Sequence, residues 1–156
     1  MIDIAIPGFA DLHLAHLVMD YNGTLAVDGR LLPGVRERLE RLRARLALHI
    51  VTADTFGKVK AELSGLDATL QILPKERQDE AKREYVRQLG AQATVAVGNG
   101  RNDAMMLKAA VLGMAVILGE GASSQSLVAA DVVCLSILDA LDLLEQPLRL
   151  TATLRT

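Results

Sequence analysis

The sequence predicts an α/β fold in which a doubly wound parallel sheet lies between helices, giving three layers. Short apolar runs alternate along the chain with segments whose apolar residues recur at helical spacing. The runs are near-continuous, which is typical of strands buried on both faces of a parallel sheet. Three of them end in carboxylate, hydroxyl, amide or glycine residues, and open α/β sheets place their chemistry at these strand ends. Strands and helices that alternate in this way are joined by right-handed crossovers.

The first part of the chain leads to the first of these polar strand ends. Ile2 to Ile6 is predicted as a short edge strand, and Pro7-Gly8 turns the backbone into the strand that ends at Asp20. Val27 to Gly34 has the residue types of a hairpin, so it is predicted to form a small flap beside that strand end. The next segment, Val35 to Leu46, is predicted as an amphipathic helix that crosses back over the sheet.

The rest of the chain continues the alternation. The predicted strands are Leu48 to Thr52, Thr69 to Leu73, Ala93 to Val97, Val111 to Leu118 and Asp131 to Leu135. The predicted helices are Phe56 to Leu63, Lys75 to Leu89, Ala104 to Ala110, Ser123 to Ala130 and Leu138 to Leu144. Gly90 is expected to end the second of these helices, and Met105, Met106 and Ala109 of the third are expected to pack inward.

Composition limits the classes of function. The 156 residues are 51% hydrophobic and 23% charged, enough for one α/β domain with an aliphatic core, so we expect a single domain over residues 1–156. Aromatic residues make up only 3% and the net charge is −2. Binding of nucleic acid or an anionic membrane is therefore not expected, since stacking platforms and an overall positive charge are both lacking.

Targeting signals and cysteine usage are the next constraint. No apolar run approaches the ~20 residues of a membrane-spanning helix, and the first ten residues do not resemble a signal peptide. The lone Cys134 cannot form an internal disulfide and is expected as a buried apolar side chain. We therefore expect a cytoplasmic protein. The three histidines lack zinc-ligand spacing and are expected at core or edge positions.

The first polar cluster is Asp20-Tyr21-Asn22-Gly23-Thr24-Leu25, directly after an apolar run. It places a carboxylate where a strand ends and a tight glycine turn begins. Gly23 lets the backbone approach a ligand closely, and neighbouring amides can face an anion. By itself this hexapeptide is equally compatible with an ordinary Asn-Gly turn. The other strand ends favour a phosphoryl-accepting aspartate.

Two further strand ends carry compatible chemistry. One ends at Thr52, whose hydroxyl can bind a phosphate oxygen, and is followed by Ala53. The other leads into Gly98-Asn99-Gly100-Arg101-Asn102-Asp103. Oxygen ligands gathered at strand ends suit Mg²⁺, which accepts one or two carboxylates and also bridges to substrate phosphate.

These clusters resemble the motifs of the haloacid dehalogenase (HAD) superfamily, and within it small soluble proteins related to the phosphorylation domain of P-type ATPases. The first motif, D-x-D-G-T-[LV], matches the hexapeptide at Asp20, with Asn22 in place of the second aspartate. The second motif matches Thr52. The fourth motif, G-D-G-x-N-D, matches Gly98 to Asp103, with Asn99 in place of its first aspartate. The resemblance runs from about Leu12 to Val133, with the motifs in the family's order.

The third motif of the family is a lysine on the helix before the last of these strands, and the sequence offers two candidates. Lys82 shares the apolar helix face with Tyr85, Val86 and Leu89, so its ammonium starts from the inward side. Lys75 lies near the predicted helix start, where it also could reach a phosphate. We favour Lys82 and keep Lys75 as the alternative.

The resemblance implies a Rossmann-like core, Mg²⁺ and a mechanism. Asp20 would attack a phosphate monoester and form an aspartyl-phosphate that water hydrolyses. Thr52 and Lys82 would bind the phosphoryl group. The implied metal ligands are Asp20, the backbone carbonyl of Asn22, Asn99 and Asp103, and the further phosphate-binding positions are Gly23, Thr24, Ala53 and Asn102.

The two asparagines are departures from the family pattern. The second aspartate of the first motif is the family's general acid and base, and an amide cannot exchange that proton, so Asn22 predicts slow turnover or a long-lived phosphoenzyme. Asn99 provides a neutral oxygen in place of a carboxylate and predicts weaker metal binding. The alternative hypothesis is a catalytically impaired phosphate-binding or regulatory module.

Spacing also indicates that no cap domain is present. Only about thirty residues separate Asp20 from Thr52, and fewer separate Thr52 from Lys82, which is too few for a folded domain of usual size. We therefore expect a small phosphorylated substrate and a homo-oligomer in which a neighbouring subunit covers the site.

Overall fold

A computed structural model describes residues 1–54 and 56–156 of the chain. The strands are β1 (Ile2–Ile6), β2 (Ala10–Leu14), β3 (His16–Met19), β4 (Ala26–Val27), β5 (Arg30–Leu31), β6 (Ala47–Thr52), β7 (Thr69–Ile72), β8 (Thr94–Gly98), β9 (Leu112–Val116) and β10 (Val132–Cys134). The helices are α1 (Val35–Leu42), α2 (Val59–Glu62), α3 (Gln78–Leu89), α4 (Ala104–Ala109), α5 (Ser124–Ala129), α6 (Ile137–Glu145) and α7 (Pro147–Leu154). Single 3-10 turns occupy Ala91–Ala93 and Arg101–Asp103.

Six strands form one parallel sheet in the order β10-β9-β8-β3-β6-β7. Strand β3 lies between β8 and β6, with Met19 in register with both Val97 and Ile50. The predicted α/β fold class is therefore confirmed. Because the three strands are parallel neighbours, the residues that follow them emerge at the same edge of the sheet.

Alternating residues of the strands face two separate apolar layers. Leu17 and Met19 of β3 contribute to the larger cluster, which includes buried residues of α1 and α6. Val18 faces the smaller cluster, which includes residues of α3 and α4. Side chains alternate between the two faces of a strand, so a strand that is apolar at every position can bury both faces.

The start of the chain differs from the prediction. The strand predicted from Pro7-Gly8 to Asp20 is divided at Ala15, and β1 and β2 form a separate antiparallel pair rather than an edge of the main sheet. Ala15 donates its N–H to Ala93 O and accepts from Ala47 N, so its backbone bonds to two different segments. Apolar continuity from Leu14 to Met19 concealed this change of sheet.

Several helices are shorter than predicted. The helix expected from Val35 ends at Leu42, and the one expected from Phe56 is helical only over α2. Helix α3 begins at Gln78 rather than Lys75, because Arg77 adopts the left-handed conformation with φ 52°. The prediction also missed α7, which follows directly after Gln146 with Pro147 as its first residue.

Other predictions hold in detail. Strands β4 and β5 form the predicted flap, with Asp28 and Gly29 both at positive φ in the two-residue turn. Cys134 is buried as expected. The expectation for Met105 is wrong, since 37% of it is exposed while Met106 is fully buried. Adjacent helical residues point about 100° apart, so the two methionines do not share a face.

The histidines have ordinary partners. His13 lies 2.7 Å from the Asp3 carboxylate at the surface. His16, His49 and Tyr85 form a hydrogen-bonded series, with 3.2 Å between the two imidazoles and 2.9 Å from His49 Nδ1 to the Tyr85 hydroxyl. Burial lowers the pKa of His49, so the imidazole of His49 is neutral near neutral pH when it bonds to His16 and Tyr85.

No helix within residues 1–54 and 56–156 combines the length and apolar character needed to cross a bilayer.

Candidate active site

A cavity of about 210 Å³ lies at the carboxyl edge of the sheet. It is lined by Asp20, Asn22, Thr52, Ala53, Gln78, Asn99, Gly100, Asn102 and Glu120. Asp20 follows β3, Thr52 ends β6 and Asn99 follows β8, so the three adjacent strands deliver these residues to one place. The polar strand ends identified in the sequence therefore meet around a single space.

Lys82 joins two carboxylates beneath this cavity. Its Nζ donates to Asp20 Oδ1 at 2.6 Å and to Asp103 Oδ1 at 2.7 Å. Lys82 and Asp103 are fully buried, and Asp20 is only 7% exposed. The lysine projects from α3, on the helix face that packs toward the sheet. Lys75, the alternative motif lysine, is exposed and does not line this cavity.

The second oxygen of Asp103 is also occupied. Asp103 Oδ2 accepts the backbone N–H groups of Asn99 at 2.9 Å and Gly100 at 2.8 Å. The carboxylate thus fixes the loop that carries Asn99 and simultaneously positions the ammonium of Lys82. Both of its oxygens accept protein donors, which gives Asp103 an organising role beside the metal ligation that the resemblance implies.

Burial and charge shift the titration of this group. Burial and the neighbouring Asp103 carboxylate raise the pKa of Asp20 to about 6, and Lys82 opposes this increase. Burial by itself lowers the pKa of Lys82, but the two carboxylates reverse that effect and raise it above its ordinary value. Lys82 is therefore charged at neutral pH and partly compensates two buried carboxylates.

Thr24 lies between the second carboxylate oxygen of Asp20 and the side-chain oxygen of Asn99. Its Oγ1 lies 3.3 Å from Asp20 Oδ2 and 3.3 Å from Asn99 Oδ1, so its single hydroxyl proton can serve one of them at a time. Asn99 Nδ2 donates to Gly121 O at 2.9 Å, which fixes the side chain with its oxygen toward Thr24. Asp20 Oδ2 and Asn99 Oδ1 consequently retain lone pairs for another partner.

Asn22 contributes a third available oxygen. Its side chain lines the cavity, and its Oδ1 is buried without a hydrogen-bond partner among the described residues. A buried acceptor without a partner is uncommon in a native structure, and an ion is one of the explanations for it. One carboxylate and neutral amide oxygens are hard donors, so the residues present fit Mg²⁺ better than a thiophilic metal.

Thr52 is arranged to donate. Its Oγ1 accepts the N–H of Asp54 at 3.1 Å, which leaves the hydroxyl hydrogen available to a ligand oxygen. Asp54 itself accepts the N–H groups of Lys58 and Val59 at the start of α2. Asp54 therefore links the end of β6 to the start of α2, with Thr52 on the cavity wall.

Two residues lining the cavity were missed by the sequence interpretation. Gln78 accepts from Asn102 Nδ2 at 2.8 Å, and Glu120 accepts from the N–H of Asp28 on the flap at 2.9 Å. A signal existed for each. Gln78 precedes Lys82 by four residues and so shares its helix face, and Glu120 lies between two glycines after a fourth parallel strand.

Gly23 is required by both conformation and space. Its φ is +78°, and a Cβ at this position would overlap the side-chain amide of Asn99. We expect Gly23→Ala to lower the free energy of unfolding by about 1–3 kcal/mol through backbone strain and to weaken Mg²⁺ binding further by displacing Asn99. Urea unfolding and Mg²⁺ titration measure the two effects.

Gly65→Ala is the matched control for this variant. Gly65 has φ +80°, but nothing lies within 4 Å of an added Cβ. It should therefore show the conformational cost without the change in Mg²⁺ binding. Equal Mg²⁺ affinity in both variants would contradict the role assigned to the Gly23–Asn99 contact.

Two uncharacterized proteins match parts of the chain in sequence. Over 61 residues the chain is 51% identical to the uncharacterized protein MJ0073 of Methanocaldococcus jannaschii, which covers 39% of this chain and 66% of that protein. It is 46% identical over 39 residues to the uncharacterized protein MJ0072 of the same organism, covering 25% of this chain and 89% of that protein. No protein-family model matches the chain.

Solved structures show the same architecture. The chain superposes on 3-deoxy-D-manno-octulosonate 8-phosphate phosphatase from Moraxella catarrhalis, crystallised with magnesium, phosphate and KDO, with a TM-score of 0.67, 16% identity and coverage of 86% of this chain and 87% of that one. The cobalt-bound form of the corresponding phosphatase from Haemophilus influenzae gives a TM-score of 0.67, 17% identity and coverage of 92% and 94%. At these identities the likeness establishes the fold.

A third structure is a P-type ATPase. A zinc-transporting PIB-type ATPase gives a TM-score of 0.62 and 27% identity over 78% of this chain, which spans only 20% of the ATPase chain. The chain belongs to one family with MJ0072 of M. jannaschii and has the core fold of HAD superfamily hydrolases, such as that from Legionella pneumophila, with a TM-score of 0.64, 19% identity and coverage of 90% and 88%.

Proposed function

We propose that the chain is a Mg²⁺-dependent phosphatase that transfers the phosphoryl group of a small phosphate monoester to Asp20. The observation that carries the proposal is the environment of the Asp20 carboxylate. Lys82 fixes one oxygen, and the other faces a polar cavity with only a shared hydroxyl proton near it. A carboxylate held in this way can present a lone pair to phosphorus in a defined direction.

The proposed reaction has two steps. A carboxylate oxygen of Asp20 bonds to phosphorus while the bond to the ester oxygen breaks, and the alcohol leaves with a proton from water. Water then attacks the aspartyl-phosphate, which releases inorganic phosphate and restores the carboxylate. Thr52 donates to a phosphoryl oxygen, and Lys82 balances charge at Asp20 throughout both steps.

The remaining positions would hold the loops and the cation. Mg²⁺, when bound, supplies positive charge to the phosphoryl oxygens. Asp20, Asn22 and Asn99 would hold it. Asp20 Oδ2 and Asn99 Oδ1 share the single hydroxyl proton of Thr24, and Asn22 offers its unpartnered Oδ1 beside the backbone carbonyl that the resemblance implies. Gly23 and Thr24 shape the first loop, Ala53 presents its backbone beside Thr52, and Asn102 anchors the third loop through Gln78. Asp103 organises Lys82 and Asn99, and we keep it as a further candidate for holding the cation.

Asn22 makes this a slow enzyme in our proposal. An amide cannot protonate the leaving oxygen or activate water, and a positioned acid or base typically contributes about 10²–10⁴-fold. We expect Asn22→Asp to raise kcat for an alkyl phosphate by on the order of 10²-fold, the lower end of that range. Steady-state hydrolysis over a pH series measures it, and the gain should be smaller for p-nitrophenyl phosphate, whose leaving group needs little protonation.

The basic test is hydrolysis of p-nitrophenyl phosphate by the wild type with Mg²⁺, Co²⁺ or EDTA. We expect slow release of p-nitrophenolate that depends on the cation and is absent with EDTA. Asp20→Asn is the negative control for a contaminating phosphatase. Equal rates in the wild type and in Asp20→Asn would overturn the proposal.

The second candidate function is a phosphate-binding or regulatory module without turnover. The two amides at positions 22 and 99 favour it, since both replace acids of the family motifs. It predicts that beryllium fluoride and Mg²⁺ stabilise the protein against thermal unfolding, while no phosphate is released from any ester and Asn22→Asp restores no hydrolysis.

We also propose the assembly in which the site works. Residues 1–156 would act as one core domain without a cap, and a second copy of the chain would cover the open cavity. Sedimentation equilibrium tests the second statement. A monomer at concentrations that give full activity would overturn it.

A further inference from the structure

A second cavity adjoins the catalytic one. It has a volume of about 390 Å³ and is lined by Lys75, Gln78, Asp79, Arg101 and Asn102. Gln78 and Asn102 also line the catalytic cavity, so the hydrogen-bonded amide pair forms a wall common to both spaces. The two cavities are therefore neighbours on the same face of the protein, with this amide pair between them.

Local hydrogen bonds fix the relative positions of the two loops that form this cavity. Gln78 Nε2 donates to the backbone oxygen of Lys75 at 3.0 Å, and its Oε1 accepts from Asn102 Nδ2 at 2.8 Å. One glutamine thus ties the segment of Lys75 to the loop of Asn102. Arg101 is the neighbour of Asn102 in that loop, so both cations are attached to a backbone that also shapes the catalytic cavity.

The charges that line the two cavities differ in sign. The ionisable groups on the catalytic cavity are the carboxylates Asp20 and Glu120. The second cavity carries Lys75 and Arg101 against the single carboxylate of Asp79, which accepts the N–H of Glu80 at 2.9 Å. Within residues 1–54 and 56–156, neither Lys75 nor Arg101 has a carboxylate within 4.0 Å. The second cavity is thus net positive and its cations are free to take an anion.

We propose that Lys75 and Arg101 bind a second anionic group of the substrate, so that the preferred substrate is a phosphate monoester whose other end carries a phosphate or carboxylate. The inference deepens the proposed function and rests on it. Local positive charge beside an acidic catalytic cavity supplies the attraction for a substrate with two anionic groups that the net charge of −2 does not supply. Arg101 can contact a planar carboxylate or a phosphate with two donors, and Lys75 adds a point charge.

The test compares substrates that differ only in the second anion. These are 1,3-propanediol bisphosphate, 3-hydroxypropyl phosphate and a carboxylate analogue, 3-phosphonooxypropanoate, each at fixed free Mg²⁺ and low ionic strength. We expect kcat/KM to be about tenfold higher for the bisphosphate than for the hydroxypropyl ester, mostly through KM. The carboxylate analogue shows whether the second cavity prefers a carboxylate or a phosphate. Bisphosphates of diols with two to five carbons measure the distance between the two binding positions.

The variants are Lys75→Met, Arg101→Met and the double variant, with Lys60→Met as the matched control. Lys60 is exposed on α2 and lines neither cavity. We expect the preference ratio to fall about threefold in each single variant, to near one in the double variant, and to keep its wild-type value in Lys60→Met. High salt should reduce the ratio in the wild type. A wild-type ratio near one, or a ratio retained in the double variant, would overturn the inference.

A binding measurement distinguishes failure of the proposed phosphatase function from failure of the proposed second anion site. Calorimetric titration of Asp20→Asn with 1,3-propanediol bisphosphate and with 3-hydroxypropyl phosphate requires no turnover. A tighter Kd for the bisphosphate, lost when Lys75 and Arg101 are both replaced in the same background, supports the second subsite even if p-nitrophenyl phosphate is not hydrolysed. Equal Kd values for the two compounds contradict it whether or not the protein is a phosphatase.

Discussion

Asp20→Asn is expected to abolish phosphate release and phosphoenzyme formation. The amide occupies the same space and still offers Lys82 an oxygen acceptor, but it has no charged oxygen that can bond to phosphorus. The rate of phosphate release should fall at least ~10³-fold, a loss of the size seen when the nucleophile of another enzyme is removed. Release of inorganic phosphate and intact-protein mass after acid quench measure the two losses.

The free energy of unfolding of Asp20→Asn shows whether its loss of activity is due to misfolding. Asp20 is one of two buried carboxylates beside a single ammonium, and its pKa is raised to about 6 mainly by burial. Replacing it by a neutral amide should leave the free energy of unfolding of the metal-free protein at or above the wild-type value at neutral pH. Asp11→Asn, an exposed position, is the control. A destabilised Asp20→Asn protein would show that the carboxylate is mainly structural.

Lys82→Met is expected to have the largest effect on stability. The ammonium is fully buried and pairs with Asp20 and Asp103, which would remain as uncompensated buried charges. Breaking one side of a buried ion pair typically costs about 3–5 kcal/mol. Urea unfolding at neutral pH without divalent cation measures it, and catalytic activity should be lost as well.

Lys75→Met is the matched control for this prediction. Lys75 is the other candidate for the motif lysine, and it is exposed. A surface substitution of this kind usually changes stability by less than about 0.5 kcal/mol. In addition, Asp103→Asn should recover part of the stability lost in Lys82→Met, because it removes one of the uncompensated charges. Equal destabilisation by the two lysine variants would contradict the central position of Lys82.

The sequence predicted the fold class and the region of the site because both depend on simple regularities. A strand buried on both faces must be apolar at every position, and parallel neighbours must bring their carboxyl ends together. Asp20, Thr52 and Asn99 could therefore be grouped from three separate segments. Helical periodicity favoured Lys82 over Lys75 because Lys82 lies at helical spacing from the apolar residues of its helix.

What the sequence did not reveal depends on contacts between distant segments. The break at Ala15 lies inside an apolar run, and only its hydrogen bonds to Ala93 and Ala47 show that the chain changes sheet there. The two donors to Asp103 Oδ2 come from the backbone, which side-chain patterns do not encode. Glu120 reaches the cavity through a loop that contacts the flap, and no local motif marks that contact.

The most direct measurement of the central claim is the location of a trapped phosphoryl group. The wild type would be incubated with acetyl phosphate and Mg²⁺, quenched in acid and analysed by intact and peptide mass spectrometry. We predict one added phosphoryl group on the peptide that contains Asp20, labile to hydroxylamine and absent in Asp20→Asn. Hydrolysis of phosphate esters without this adduct, or an adduct on another residue, would contradict the account.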